Sequence, residues 1–104
     1  MNRTEYLRNV DADVRYRVSF ESERGDILEF VVQLEVIVED SWSPVIRFDT
    51  VHGFAHCDRY RTDGTVERHE PLPTTDLNQA LTLATRTVRT QWEGLSRPFR
   101  RPSS

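Results

Sequence analysis

Lysine is absent from this chain, and all fourteen basic residues are arginine. The plain source of such a bias is the base composition of the coding sequence. A net charge of −3 argues against a nonspecific wrapper of nucleic acid. A second cysteine is also missing. The lone Cys57 cannot close an internal disulfide, so nothing demands an oxidising compartment. No apolar run reaches membrane-spanning length. The first residues, Met1 to Arg8, lack the apolar core of a signal peptide. The expected setting is cytoplasmic, with no membrane partner. Internal repeats are missing too, and the 104 residues fit one domain.

What is present is strongly patterned. Apolar residues make up 37% and charged residues 30% of the chain. The apolar ones recur in periodic runs, which marks a folded chain and not a disordered one. Charge is uneven: residues 1–40 hold ten acids against five arginines, and residues 86–104 hold five arginines against Glu93. That predicts an acidic sheet edge and a flexible basic tail over 97–104.

Residues 1–12 show no clean period and stand as a lead-in coil or short helix. From Asp13, Val14, Tyr16, Val18 and Phe20 alternate with Arg15, Arg17, Ser19 and Glu21, the mark of a strand buried on one face. Glu23-Arg24-Gly25-Asp26 is a turn. A long strand follows over 27–39, with Phe30, Val32, Leu34 and Val36 on one face and Glu29, Gln33 and Glu35 on the other. Val31 and Ile37 join the polar face, either as ordinary exposed strand residues or as a homodimer contact. Asp40 to Pro44 reads as a loop. Strands follow over 45–52, 56–61 and 65–70, the last two joined by a turn at Asp63-Gly64.

Asp76, followed three residues later by Gln79, opens a helix over 75–95, with Thr75 as a rival cap. Leu77, Ala80, Leu81, Ala84, Val88, Trp92 and Leu95 form its apolar stripe. Gly94 or Ser96 is expected to close it before Pro98. The predicted fold class is α+β: an antiparallel five-stranded meander over 13–70, with one C-terminal helix covering its apolar face.

Chemistry concentrates between Val45 and Arg61. This stretch holds two of the three histidines, the cysteine, two aspartates and three arginines. A three-residue loop, Gly53-Phe54-Ala55, would set His52 opposite His56, Thr50 opposite Asp58 and Phe48 opposite Tyr60. It would put Val51 against Cys57 and Asp49 against Arg59 on the other face. At the next turn, a two-residue loop brings His69 opposite Asp58; the three-residue loop favoured by the core brings Arg68 there and Val66 against Tyr60. Two imidazoles near a carboxylate can exchange protons near neutral pH. His52, His56 and Asp58 are therefore the candidate catalytic set, with Arg47, Asp49, Arg59, Tyr60 and His69 as candidate substrate contacts. Such parts suit metal-independent RNA cleavage, in which the 2′-OH is the internal nucleophile. The plainer reading is a hairpin tip with exposed histidines and a surface Asp49–Arg59 ion pair.

A metal site is a further reading, since His52, His56, Asp58, His69 and Cys57 are ligand types. Gly53 and the strand pattern keep the His-x3-His spacing off a helix, and Cys57 should face away from the histidines. No metal and no cofactor are assigned. Arg86, Arg89, Arg97, Arg100 and Arg101 could bind phosphate or simply form a solvated face.

Arg47-Phe48-Asp49-Thr50 followed by His52, then His56-x-Asp58, resembles the TumE family of small toxin–antitoxin proteins. The motif covers about residues 47–58, and the layout of strands first and helix last covers roughly 13–95. Asp58 stands where that family suggests another histidine, and the linker between the histidines is shorter. The resemblance implies a toxin, with RNA as its candidate substrate, neutralised by a small antitoxin partner. It would make Arg47, Asp49, His52, His56 and Asp58 the functional set. The alternative is a non-catalytic protein-binding module or a homodimeric interaction domain.

Overall fold

The computed structural model describes residues 1–51 and 53–100. Six strands form one antiparallel sheet in chain order: β1 (Asn2–Asp11), β2 (Val14–Glu23), β3 (Asp26–Val38), β4 (Ser41–Asp49), β5 (His56–Tyr60) and β6 (Val66–Pro71). One helix, α1 (Leu77–Arg100), follows them. The α+β class and the meander are as expected, with one strand more than the sequence suggested.

The extra strand is β1, which occupies the segment left open as a lead-in. It lies at the sheet edge and pairs with β2 alone, from Asn2 opposite Ser22 to Asp11 opposite Val14. An edge strand needs little apolar alternation, because only Tyr6 and Val10 reach the core. Its open-face anchor is Arg3, which bonds Glu5, Glu21 and Ser19.

Tight hairpins join the long strands. Arg24 and Gly25 at the β2–β3 turn have φ of 54° and 83°; Glu39 and Asp40 at the β3–β4 turn have 53° and 68°. Positive φ at two successive residues matches the right-handed twist of the flanking strands. The second turn is shorter than the loop expected over Asp40 to Pro44. β4 therefore begins at Ser41, and Pro44 sits inside it where the β3–β4 register shifts between Leu34 and Glu35. A bulge is where a strand tolerates proline's missing N–H.

The core lies between one sheet face and α1. Val14, Val18, Phe30, Val32, Leu34, Val36, Ile46, Phe48 and Cys57 meet Ala80, Ala84 and Val88 there. Asp76 caps α1, accepting from the N–H groups of Asn78 and Gln79 at 2.9 and 3.2 Å. Asn78 ties the helix start to the β2–β3 turn, accepting from the Ile27 N–H at 2.9 Å and donating to the Gly25 carbonyl at 3.0 Å.

The helix does not stop at Gly94 or Ser96, and residues 97–100 are its last turn, not a loose tail. Leu95 and Phe99 pack against the core, and the Arg100 guanidinium bonds Asp11 at 2.8 Å and Asp13 at 3.2 Å. Those contacts carry the helix through Pro98 despite its missing N–H. Residues 101–104 of the expected tail lie outside the described residues. No described helix is long and apolar enough to cross a membrane.

Candidate functional site

The side chains of interest sit on the sheet face opposite α1, and the β4–β5 register puts them there. Asp49 lies opposite His56, Phe48 opposite Cys57, Arg47 opposite Asp58 and Ile46 opposite Arg59. This differs from the expected pairing by three residues. An odd shift exchanges the faces.

The cause lies at the end of β4. The Asp49 carboxylate accepts from the Val51 N–H at 3.1 Å, and the Thr50 carbonyl accepts from the Gly53 N–H at 2.9 Å. Gly53 adopts φ of 85°, a conformation that favours glycine. The ladder ends at Asp49, and the connection to β5 spans residues 50–55 instead of three.

Several expectations change as a result. Asp49 does not meet Arg59 across the sheet; it joins His56 and Arg47. Arg59 is on the helix side opposite Arg68, away from the cluster. Phe48 faces Cys57 and not Tyr60. The lone thiol does point away from His56, into the core. Burial, then the nearby Glu70 carboxylate, pushes it up to about 11, so it stays protonated and is no nucleophile at neutral pH.

At the next hairpin His69 stands opposite Asp58, the alternative that the core argument disfavoured. A register shift between Arg59 and Tyr60 lets Val66 also meet Tyr60. The bulge satisfies both pairings, which had been treated as exclusive. His52 lies outside the described residues.

The cluster is two His–Asp pairs in contact. His56 Nε2 is 2.9 Å from Asp49 Oδ1, with both side chains nearly inaccessible at 2% and 5% exposure. His69 Nδ1 bonds Asp58 Oδ1, and here the ring is half exposed. The two imidazoles meet at 4.7 Å between centroids, inclined by 49°. Phe54 packs on His56 at 5.8 Å and helps bury it from the loop side. Tyr60 borders the cluster; burial first, then the Asp58 charge, raises its hydroxyl.

A hydrogen-bonded chain across the open face holds the buried pair. Arg47 Nε donates to Asp49 Oδ2 at 2.6 Å, and its Nη1 donates to Gln33 Oε1 at 3.2 Å. Gln33 Nε2 donates to Glu35 at 2.6 Å, and Arg15 Nε donates to Glu35 at 2.7 Å. Arg15 also stacks over Trp42 at 3.9 Å. Burial acts to raise the Asp49 pKa. The Arg47 and Val51 hydrogen bonds and the neighbouring His56 outweigh it, leaving the carboxyl below its ordinary value. No buried side-chain polar atom among the described residues lacks a partner.

Arg15, Gln33 and Glu35 were not candidates from the sequence. The alternation did place Gln33 and Glu35 on the polar face of their strand. That Glu35 is buried there, at 5% exposure, was not legible. A cleft of about 250 Å³ opens beside Asp49, lined by Arg3, Ser19, Val31, Arg47 and Val51. Among the described residues His56, Asp58 and His69 also form a group able to hold a metal ion.

The arrangement can move protons. One ring is accessible and oriented by a carboxylate; the other is locked behind it by a second carboxylate and an arginine. No curated protein and no solved structure matches this sequence. Over residues 1–104 the chain matches, and therefore belongs to, the family described as a domain of unknown function, DUF7718.

Proposed function

We propose that this is a small cytoplasmic toxin-like protein of a toxin–antitoxin or related defence system, cleaving RNA by proton transfer at the open-face His–Asp cluster. The observation that supports this reading is the half-exposed His69–Asp58 pair set against the buried His56–Asp49 pair. The likeness of residues 47–58 to the TumE motif supports it from the sequence side.

His69 is the group that touches substrate. It takes the proton of a ribose 2′-OH as that oxygen attacks phosphorus. The P–O5′ bond breaks, the departing oxygen takes a proton from water, and a 2′,3′-cyclic phosphate remains. His69 then returns its proton to solvent. Asp58 orients the ring. His56, Asp49 and Arg47 are positioning residues behind it. No metal enters this chemistry.

The test is incubation of purified protein with RNA in EDTA, analysing the ends formed. The expected result is cleavage with cyclic phosphate ends, slowed roughly 100-fold or more in His69→Ala. Growth arrest on expression should vanish with the same substitution. Intact RNA, or equal cleavage by the variant, removes the reading.

Exposed Val51 and Phe54 on the loop beside the cluster favour a second reading, a non-catalytic module that binds a small protein partner or a second copy. Intact RNA with binding lost in Phe54→Ala selects it.

A further inference from the structure

The two edges of the sheet are built differently. β6 is short, ends in Pro71 and carries Glu67, Arg68 and Glu70, features that discourage another strand from joining. β1 runs for ten residues without a proline. Among the described residues no element covers its outer side, since α1 packs over β2, β3 and β4.

The register fixes which backbone groups this edge presents. The Phe30 N–H reaches Thr50 Oγ1 on the β4 side, and the Ile37 N–H reaches the Asp13 carbonyl on the β2 side. Odd-numbered residues of β3 therefore bond β2. Carried through Val31 opposite Ser19 and Val18 opposite Tyr6, the alternation turns even-numbered residues of β1 inward. The N–H and C=O groups of Arg3, Glu5, Leu7 and Asn9 then point out of the sheet. The Arg8 guanidinium, 3.4 Å from the Leu7 carbonyl, marks that direction.

This edge complements its own copy in one antiparallel register. With Leu7 on a two-fold axis, Leu7 meets Leu7, Glu5 meets Asn9, Tyr6 meets Arg8 and Thr4 meets Val10. The exposed Leu7 side chain is covered. Arg8 already lies over the Tyr6 ring at 4.7 Å within one chain, so the axis gathers alternating tyrosines and arginines. Centring on Glu5 sets that carboxylate against its copy, and centring on Arg8 opposes two guanidiniums. Centring on Tyr6 sets Leu7 against Glu5. The outer charges are neutralised within each chain, Arg3 by Glu5 and Glu21 and Asp11 by Arg100.

We infer that two copies of this chain join edge to edge through β1, continuing one six-stranded sheet into the other across the axis. Self-complementarity is what selects a second copy as the occupant. The His69–Asp58 pair lies at the opposite edge of the sheet, so this interface is independent of the chemistry proposed above.

Sedimentation equilibrium of the full chain between roughly 1 and 300 µM tests it. The mass should rise from 12.2 kDa to twice that value, with a dissociation constant of roughly 50 µM or tighter. Leu7→Pro removes the donor at the axis and should weaken association at least about 10-fold. The lost N–H points away from β2, so β1 keeps its place in the sheet; an unchanged circular dichroism spectrum checks this. Leu7→Lys should weaken association similarly, by opposing two like charges.

Copper-catalysed oxidation reads the register. Leu7→Cys should cross-link to its copy, because bonded residues on the axis have Cα atoms about 5.5 Å apart. Asn9→Cys should not, its copy being roughly 14 Å away. A chain that stays monomeric at roughly 300 µM overturns the proposal, as does equal cross-linking of both cysteine variants. So does a dimer that survives both Leu7 substitutions but is lost in Phe54→Ala or Ile37→Lys, which assigns the contact to the loop or the open face.

Discussion

Asp49 accepts from three neighbours at once: the Arg47 guanidinium, the Val51 N–H and the His56 ring. Each contact does a separate job. Val51 ends the strand, Arg47 stabilises the buried charge, and His56 is turned toward His69. Asp49→Asn should lower stability by about 2 kcal/mol, because a neutral amide replaces a charge-assisted acceptor in a site closed to water. The half-open position of Arg47 keeps the loss near the low end of buried pairs. Urea unfolding measures it, and a change below about 0.5 kcal/mol would show that the carboxylate does not hold the loop. The sequence did single out Asp49. It assigned the wrong face, because only the observed register shows which arginine lies within reach.

At the scale of elements, α1 sits close on the sheet because its contact stripe is small. Ala80, Ala84 and Val88, four residues apart, are each wholly buried. No spare room remains for a larger side chain there. Ala84→Leu should therefore cost about 1–3 kcal/mol, while Thr82→Leu on the solvent side should be close to neutral. Thermal unfolding of the two variants decides it, and equal stability would mean the helix stands off the sheet. The stripe itself was legible, since burial of one helix face writes a spacing of three and four into the chain. The helix end was not. Gly94 and Pro98 signal a stop locally, whereas Phe99 and Arg100 are held by partners far away in sequence.

Across the whole molecule, β3 lies between two long neighbours with α1 on its core face, whereas β6 pairs with β5 alone and is exposed at all six residues. Stability should follow that layout. Native-state hydrogen exchange should find β3 amides slowest, opening only with global unfolding, and β6 amides fastest among the strands. Slow exchange in β6 would contradict the picture of a rigid half and a movable half of the site. His69 rides on the exposed edge strand and His56 on the better-anchored one beside it.

The sequence by itself determined the class of fold, β2, most of β3 and the stripe of α1. Each of these records the burial of one face, and a buried face repeats at a local period of 2.0 or 3.6 residues. It also located the stretch that carries the cluster, with His56, Asp58, Asp49 and Arg47 all named. Tertiary structure decided how they meet. Whether Asp49 faces Arg59 or His56 depends on where the β4–β5 ladder stops, and that is set by a side-chain bond from Asp49 to Val51. β1 likewise has its place only through the neighbour it pairs with. The hydrogen-bonded chain from Arg15 through Glu35, Gln33 and Arg47 spans three strands, and no local pattern reports it. Periodicity encodes which side of an element is covered, while register and buried charge depend on partners that the chain brings together only on folding.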